Sequence, residues 1–181
     1  MANWQQAALA VPNDPKYDGI AMPDNALAAL KALVMDEEPV RILELGYGTG
    51  AATKAIQEGA GSLVIDLISL EQDKKLVKRG TPAKHIPTRR IYDADMLCPV
   101  VRYVEYPKGP WDMIVIDGPA NPSAEPWVGG DIFHLRDEIK PGGVVFIQGR
   151  RIHVDYYQAN LMEEFIFERM WSPNLTVMRK R

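Results

Sequence analysis

The sequence has little cysteine and no long apolar run. A lone cysteine, Cys98, cannot form an intramolecular disulfide or a cysteine-rich zinc site, and its scarcity is typical of a reducing compartment. No stretch approaches the roughly 20 apolar residues that cross a membrane. Residues 1–6 also lack the basic start and the apolar core of a signal peptide. We therefore expect a cytoplasmic protein with no membrane partner.

The chain also has no excess of positive charge. Its 21 lysine and arginine residues are outnumbered by 24 aspartate and glutamate residues, and the formal net charge is -3. Proteins that bind a long phosphate backbone usually carry a basic footprint. We therefore expect a small-molecule substrate and regard nucleic acid as an unlikely partner. The 181 residues suffice for one domain that buries a core without disulfides or a structural metal.

The most informative stretch is residues 40–50, an apolar run that ends in alternating glycines. The pattern predicts a strand from Val40 to Leu45 and a helix that begins at Ala51. The turn between them contains Gly46, Gly48 and Gly50. Glycine permits positive φ and lets a ligand approach the backbone. We interpret the stretch as a cofactor loop in the first crossover of an α/β fold.

Strand and helix patterns alternate along the rest of the chain. Helices are predicted at residues 26–34, 51–59, 73–79, 131–139 and 150–164, and further strands at residues 63–71, 89–92, 111–119, 144–148, 165–170 and 175–179. Residues 96–110 are predicted only as a short helix or loop, and 140–143 as a turn. The alternation predicts an α/β fold with a single Rossmann-like, doubly wound sheet of seven strands. A final hairpin makes the sheet mostly parallel with an antiparallel last strand.

The predicted domain covers residues 25–181. Residues 1–24 are rich in proline, asparagine and aspartate, which predicts an irregular N-terminal segment and suggests a lid over the site. Ligands of such sheets bind at the carboxyl ends of the strands. Polar residues at or beside those ends are Glu44, Glu71, Asp93, Asp95, Asp117 and the run from Gln148 to Arg151.

Two cofactors fit the glycine loop. Gly46, Gly48 and Ala51 satisfy the dinucleotide fingerprint, and Glu71 follows where a ribose-binding acid belongs. Against a dinucleotide, Glu44 places a carboxylate where a pyrophosphate would have to sit. An anion beside an anion is penalised, whereas a cationic ligand is favoured. The chain also has no Tyr-x-x-x-Lys pair for hydride chemistry.

The run from Glu44 to Gly50 resembles the first motif of class I S-adenosylmethionine-dependent methyltransferases. In the same order, Leu70-Glu71 resembles the second motif, Asp93-Ala94 or Asp95 the third, Asp112 to Pro119 the fourth, and Lys140 to Gly143 the turn into strand five. The resemblance spans about residues 25–181. It implies S-adenosyl-L-methionine as cofactor and S-adenosyl-L-homocysteine as product, with Glu71 on the ribose hydroxyls and one of the two aspartates beside the adenine. The implied cofactor-binding residues are Glu44, Gly46, Tyr47, Gly48, Gly50, Glu71, Gln72, Asp93, Ala94, Asp95 and Asp117.

For the chemical step, Asp117 and His153 are the candidate general bases, although each has a structural alternative. Many O-methyltransferases that this chain resembles place a divalent metal between an acid after strand four and an Asp-Asp or Asp-Asn pair after strand five. Asp117 matches the first ligand, but Gln148 to Arg151 replaces the pair. Two arginines oppose a hard cation, so we expect no catalytic metal.

Arg150 and Arg151 are instead candidates for binding an acidic acceptor, and Trp127 and Tyr156 for walling its pocket. The leading hypothesis is methyl transfer to a small, acidic molecule at oxygen, with a homo-oligomer as one way to complete an open site. Two alternatives stay open, a catalytically weak S-adenosylmethionine-binding module and an NAD-dependent oxidoreductase.

Overall fold

A computed structural model of the chain describes residues 2–12, 22–77, 80–93, 98–118, 128–171 and 174–181, with only the backbone at positions 93, 98, 99 and 128. The helices are α1 (Asn3–Ala10), α2 (Asp24–Glu37), α3 (Ala51–Ala60), α4 (Asp131–Leu135) and α5 (Arg151–Leu161), with a 3-10 helix at Arg136–Glu138. The strands are β1 (Arg41–Leu45), β2 (Asp66–Glu71), β3 (Ala83–His85), β4 (Thr88–Asp93), β5 (Cys98–Tyr103), β6 (Trp111–Ile116), β7 (Val128–Gly129), β8 (Ile139–Gln148), β9 (Phe165–Met170) and β10 (Leu175–Lys180).

Seven strands form the main sheet in the order β3-β2-β1-β6-β8-β10-β9. The last strand, β10, runs antiparallel to both β8 and β9, while the neighbouring pairs from β3 to β8 are parallel. The winding reverses between β1 and β6, so both of their carboxyl ends face one crevice. This arrangement confirms the predicted fold class.

Strand β6 is buried on both faces of the sheet, as its continuous apolar sequence predicts. Met113 and Val115 pack in a core with residues of α1, α2 and α3. Ile114 and Ile116 pack in a second core with residues of α4, α5 and β5. Helices therefore cover both faces, which fixes the sheet edge on which the candidate residues meet.

The prediction that residues 1–24 are irregular is wrong for residues 3–10, which form α1. Trp4 and Ala8 of this helix are 1% exposed and lie in the core with α2. The first proline is Pro12, so the proline-rich composition applies only after the helix has ended. Residues 13–21 lie outside the described residues, and the lid stays a prediction.

The region after β2 differs most from the prediction. Residues 73–77 form a turn rather than the start of a helix, and Leu76 N donates to Asp73 O at 3.0 Å. The third strand of the main sheet is β3, not residues 89–92. The predicted strand exists as β4, but it pairs with β5 and lies in a separate sheet of order β4-β5-β7.

Three further elements differ from their predicted type or bounds. The stretch 96–110, predicted as helix or loop, contains β5, where Val100, Val101 and Tyr103 are buried. The helix predicted to Ile139 ends at Leu135 and continues as the 3-10 turn. The turn predicted at 140–143 lies within β8, where the register against β6 shifts.

Candidate functional site

The glycine loop connects β1 to α3 and is held against β2. Gly46 N and Tyr47 N both donate to Leu70 O, at 2.9 and 3.1 Å, and Gly50 N donates to Tyr47 O at 2.8 Å. Gly46 has a φ of 95°, and a Cβ on it would lie 2.3 Å from Gly118 N. The loops after β1 and β6 are therefore in backbone contact, which only glycine permits.

Glu71 closes the same loop from the end of β2. Its Oε2 accepts a hydrogen bond from Gly48 N at 2.7 Å, and its Oε1 accepts one from Asp73 N at 2.8 Å. The side chain is 4% exposed. Each carboxylate oxygen keeps capacity for a further donor, so Glu71 is positioned both to shape the loop and to hold hydroxyl groups of a ligand.

Glu44 lies between α3 and β2 rather than at the surface of the loop. Glu44 is 0% exposed, and its Oε2 accepts hydrogen bonds from the hydroxyls of Thr53 and Ser69. Its Oε1 has no hydrogen-bond partner among the residues that the structure describes. Burial raises the pKa of this carboxyl to about 7, against the two hydroxyl bonds, and Asp117 adds to the rise. Direct contact with a cofactor stays a prediction for this side chain.

Asp117 and Arg150 meet at the ends of β6 and β8. Arg150 has a φ of 56° immediately before α5, and its Nη2 donates to the Asp117 carbonyl at 2.8 Å. Burial raises the pKa of the Asp117 carboxyl to about 6, the Arg150 charge opposes the rise, and Glu71 adds to it. The site thus pairs a cation with an acid that titrates near neutral pH.

A buried acid that the sequence did not identify adjoins this pair. Asp131 is 1% exposed and accepts hydrogen bonds from the Tyr106 hydroxyl at 2.5 Å and from Tyr103 N at 3.2 Å. Burial raises its pKa to about 6, and the Arg150 charge opposes the rise. The Tyr103 hydroxyl bonds Leu70 O at 3.4 Å, the carbonyl that also holds the glycine loop.

His153 and Tyr157 of α5 face β7, whereas Tyr156 of the same helix contacts α4. A Cβ on Gly129 would lie 2.8 Å from the Tyr157 hydroxyl and 3.2 Å from His153 Nδ1, and the Tyr157 hydroxyl donates to Gly129 O at 2.7 Å. Tyr156 is half-buried and meets the ring of Phe133 edge-on at 5.8 Å. His153 is 8% exposed, so a role for it as a base stays a prediction.

The structure separates the two neighbouring arginines. Arg151 is exposed, lies 3.9 Å from the Asp155 carboxylate, and stacks 4.8 Å over the Trp171 ring. Arg150 instead points to the ends of β6 and β8. Of the two arginines, Arg150 therefore lies beside Asp117, and Arg151 lies against Asp155 and Trp171 instead.

Several predicted site residues are only partly located. Trp127, Ala94 and Asp95 lie outside the described residues, and Asp93 is described only as the last backbone position of β4. Gln72 accepts a hydrogen bond from the Thr88 hydroxyl at 2.9 Å. The Tyr47 hydroxyl lies 2.6 Å from where a Cβ on Gly50 would be, so this ring covers the loop.

The polar residues that sequence reasoning missed are Thr53, Ser69, Tyr106 and Asp131. Gly118 lies within the motif from Asp112 to Pro119, directly after Asp117, but it was not named as a site residue. Among the described residues, no group of three or more His, Cys, Asp or Glu side chains could hold a metal ion. No helix in this part of the chain is long and apolar enough to span a membrane.

The sheet order, the reversed β10 and the glycine loop define the fold of class I S-adenosylmethionine-dependent methyltransferases. The structure is similar to the S-adenosylhomocysteine-bound methyltransferase PaMTH1 of Podospora anserina, with a TM-score of 0.59, 16% identity, and coverage of 98% of this chain and 86% of that one. It is also similar to a methyltransferase from Geobacter sulfurreducens (TM-score 0.56, 13% identity, 99% and 86% covered).

A third similar structure is the O-methyltransferase TomG of Streptomyces achromogenes, solved with S-adenosylmethionine and involved in tomaymycin synthesis (TM-score 0.52, 13% identity, 98% and 88% covered). No protein-family model matches the sequence, and no curated protein matches it significantly. At these identities the likeness shows the fold, and the predicted resemblance is confirmed at that level.

Proposed function

We propose that the protein transfers a methyl group from S-adenosylmethionine to an oxygen atom of a small acidic molecule. The observation that carries the cofactor assignment is the hydrogen bond from Gly48 N to Glu71. A dinucleotide needs free amides at the glycine loop for its pyrophosphate. Here Gly48 N is taken by a carboxylate and Gly50 N by Tyr47 O, so the loop is poorly suited to a pyrophosphate.

The charges around the loop fit a cation. Glu71 and Asp117 interact electrostatically, and Glu44 is buried nearby, in an electrostatic interaction with Asp117. A positively charged ligand stabilises ionised carboxylates and lowers their pKa values. Glu71 would hold the ribose hydroxyls, while Tyr47 and the loop glycines would contact the rest of the cofactor. When bound, S-adenosylmethionine supplies a methyl carbon attached to a cationic sulfur.

Asp117 is the proposed general base. Its carboxyl, with a pKa of about 6, is largely ionised at neutral pH and able to accept the proton of an acceptor hydroxyl. A base is most effective when its pKa lies near the working pH. His153 is the alternative base, and its burial against Gly129 makes Asp117 the better candidate.

Arg150 is the proposed anchor for the acceptor. A guanidinium pairs well with carboxylate or phosphate, and Arg150 is held beside Asp117 by its bond to the Asp117 carbonyl. This cation lies where the resembling metal-dependent enzymes have a pair of acids, which supports a metal-independent reaction. Positioning the acceptor can contribute roughly 7–11 kcal/mol to catalysis.

The test is methyl transfer from S-adenosylmethionine to a panel of small hydroxy acids, followed by mass spectrometry of product and S-adenosylhomocysteine. We expect transfer that Asp117→Asn slows by about 10²- to 10⁴-fold without a matching loss of cofactor affinity. His153→Gln is the comparison variant, with a smaller expected effect. Tight S-adenosylhomocysteine binding without transfer to any acceptor would favour the alternative of a binding module.

A further inference from the structure

Positive charge is concentrated in one short part of the chain. Between Asp73 and Asp93 there are seven lysine and arginine residues and no acid, although the whole chain has 21 of the former and 24 acids. The net charge of -3 therefore hides a strongly basic segment within an acidic protein. Local charge, rather than net charge, decides where a polyanion can bind.

The structure places the described cations of this segment on three neighbouring elements. Their exposed side chains, with one exposed aromatic ring, form what we call the basic surface: Lys74, Lys75, Lys84, Arg89, Arg90 and Tyr92. Lys74 and Lys75 lie in the turn after β2, Lys84 on β3, and the others on β4. Gln72 connects the turn after β2 to β3 and β4. Its carbonyl oxygen is 3.2 Å from His85 Nε2, and its side chain accepts a hydrogen bond from the Thr88 hydroxyl.

Four cations of this segment form no ion pair within the described part of the chain. Lys74, Lys75, Lys84 and Arg89 form no ion pair with any residue that the structure describes. Cations elsewhere on the protein are commonly paired, as Lys31 is with Glu58 at 3.0 Å. Exposed cations on neighbouring elements that have no ion pair with a described residue can bind an external anion.

Edge protection explains only part of the pattern. Charged residues on edge strands prevent sheets from pairing with other chains, and β3 and β4 are edge strands. That function accounts for Lys84, Arg89 and Arg90. It does not account for Lys74 and Lys75, which lie in a turn.

The chemistry of the surface favours nucleic acid over other polyanions. Protein interfaces are depleted of lysine at their centres, and membrane-surface binding needs apolar side chains that insert. Among the described residues of 74–92, Tyr92 is the single large hydrophobic side chain that is exposed, at 69%. Tyr92 and Arg90 are two residues apart on β4, so they share a face of the strand. An exposed aromatic ring with a cation on the same face is an arrangement on which single-stranded nucleic acids stack their bases.

We propose that the basic surface binds single-stranded nucleic acid, with phosphates on its lysine and arginine side chains and a base on Tyr92. The surface begins next to Glu71, so it borders the proposed ribose-binding end of the cofactor site. Binding there requires neither cofactor nor methyl transfer, and it is independent of the proposed function.

The first test is fluorescence anisotropy of a labelled 20-nucleotide oligouridylate, titrated with the full chain without cofactor. For four phosphate contacts the logarithm of affinity falls by about 2.8 per decade of salt, so a rise from 50 to 200 mM weakens binding about 50-fold. Absence of binding at 50 mM salt would overturn the proposal. So would binding that does not change with salt.

The second test uses two variants with the same change in net charge. Lys84→Glu/Arg89→Glu removes two contacts and is expected to weaken binding at least about 25-fold at 0.1 M salt. Lys108→Glu/Arg181→Glu changes two exposed cations outside the surface and should weaken binding much less. Equal losses in both variants would contradict a defined surface.

Two comparisons address the identity of the partner. Poly-glutamate or vesicles with anionic lipid that bind as tightly as the oligonucleotide would overturn the assignment to nucleic acid. Tyr92→Ala should weaken oligouridylate binding about fivefold or more, since stacking one base contributes about 1–3 kcal/mol. Circular dichroism checks the fold of each variant. If the charge reversal unfolds the protein, Lys84→Gln/Arg89→Gln is used with Lys108→Gln/Arg181→Gln as its control.

Discussion

Replacing Glu44 with glutamine tests the electrostatics beneath the glycine loop. The Glu44 carboxyl is fully buried, and its pKa is raised from 4.5 to about 7, chiefly by burial. Glutamine has nearly the same shape and can still accept hydrogen bonds from Thr53 and Ser69. The substitution therefore removes the titration of this group while it retains most of the packing.

The sign of the effect follows from the direction of the shift. The folded state holds the Glu44 proton more tightly than the unfolded state, so its stabilisation is complete at pH values below 4.5 and is lost as the pH rises to about 7. Each pKa unit corresponds to about 1.4 kcal/mol, which gives about 3.5 kcal/mol in total. Of this, about 2.5 kcal/mol is lost between about pH 5 and about pH 8.

The assay is urea unfolding of the protein without ligand at pH 5 and pH 8. Wild type should lose about 2.5 kcal/mol more stability between these pH values than Glu44→Gln does. Asp117 and Asp131 have raised pKa values in both proteins, so the difference reports Glu44 together with its electrostatic interaction with Asp117. In the exposed Glu58 the bond from Lys31 lowers the pKa, so Glu58→Gln should follow wild type over this range. Identical pH dependence in wild type and Glu44→Gln would refute the reasoning.

Two further substitutions test the loop and the acceptor anchor. Gly46→Ala should destabilise the protein by about 3 kcal/mol in urea unfolding, because the new Cβ would lie 2.3 Å from a backbone nitrogen of the loop after β6. Gly142→Ala, also at positive φ but with no atom within 4 Å, should cost about 1 kcal/mol, and equal costs would contradict the contact. Arg150→Gln should raise the pKa of Asp117, because the Arg150 charge lowers it, so the acid limb of kcat/KM moves to higher pH. It should also raise KM for acidic acceptors, and an equal effect of Arg151→Gln would exclude Arg150 as the specific anchor.

The main sheet was predictable because its central strands carry strong local signals. β6 is apolar at nearly every position, and β1 is an apolar run that ends in glycines. Buried parallel strands bounded by glycine or proline are read from sequence with little ambiguity. The order of strands and helices then determines the doubly wound fold.

The second sheet and the first helix were not predictable, because both depend on partners that are distant in sequence. β5 contains Pro99 and pairs with β4 and β7, and proline normally argues against a strand. In α1, Trp4 is buried against α2. Tertiary burial of this kind overrides weak local propensity.

The candidate site likewise contains residues that local sequence predicts and residues whose contacts depend on the folded chain. Glu71 was identified from its position at the end of a strand, and it lies against the glycine loop. The partners of Glu44 come from α3 and β2, so only the folded chain brings Thr53 and Ser69 to it. Arg150 and Arg151 are adjacent in sequence, yet the positive φ of Arg150 sends their side chains to different surroundings.

Isothermal titration calorimetry with S-adenosylhomocysteine and with NAD tests the central claim most directly. We predict that S-adenosylhomocysteine binds and that NAD does not. Glu71→Ala should greatly weaken the binding, because each charge-assisted hydrogen bond to the ribose contributes about 1.5–3 kcal/mol. Binding of NAD in the absence of S-adenosylhomocysteine binding would contradict the account.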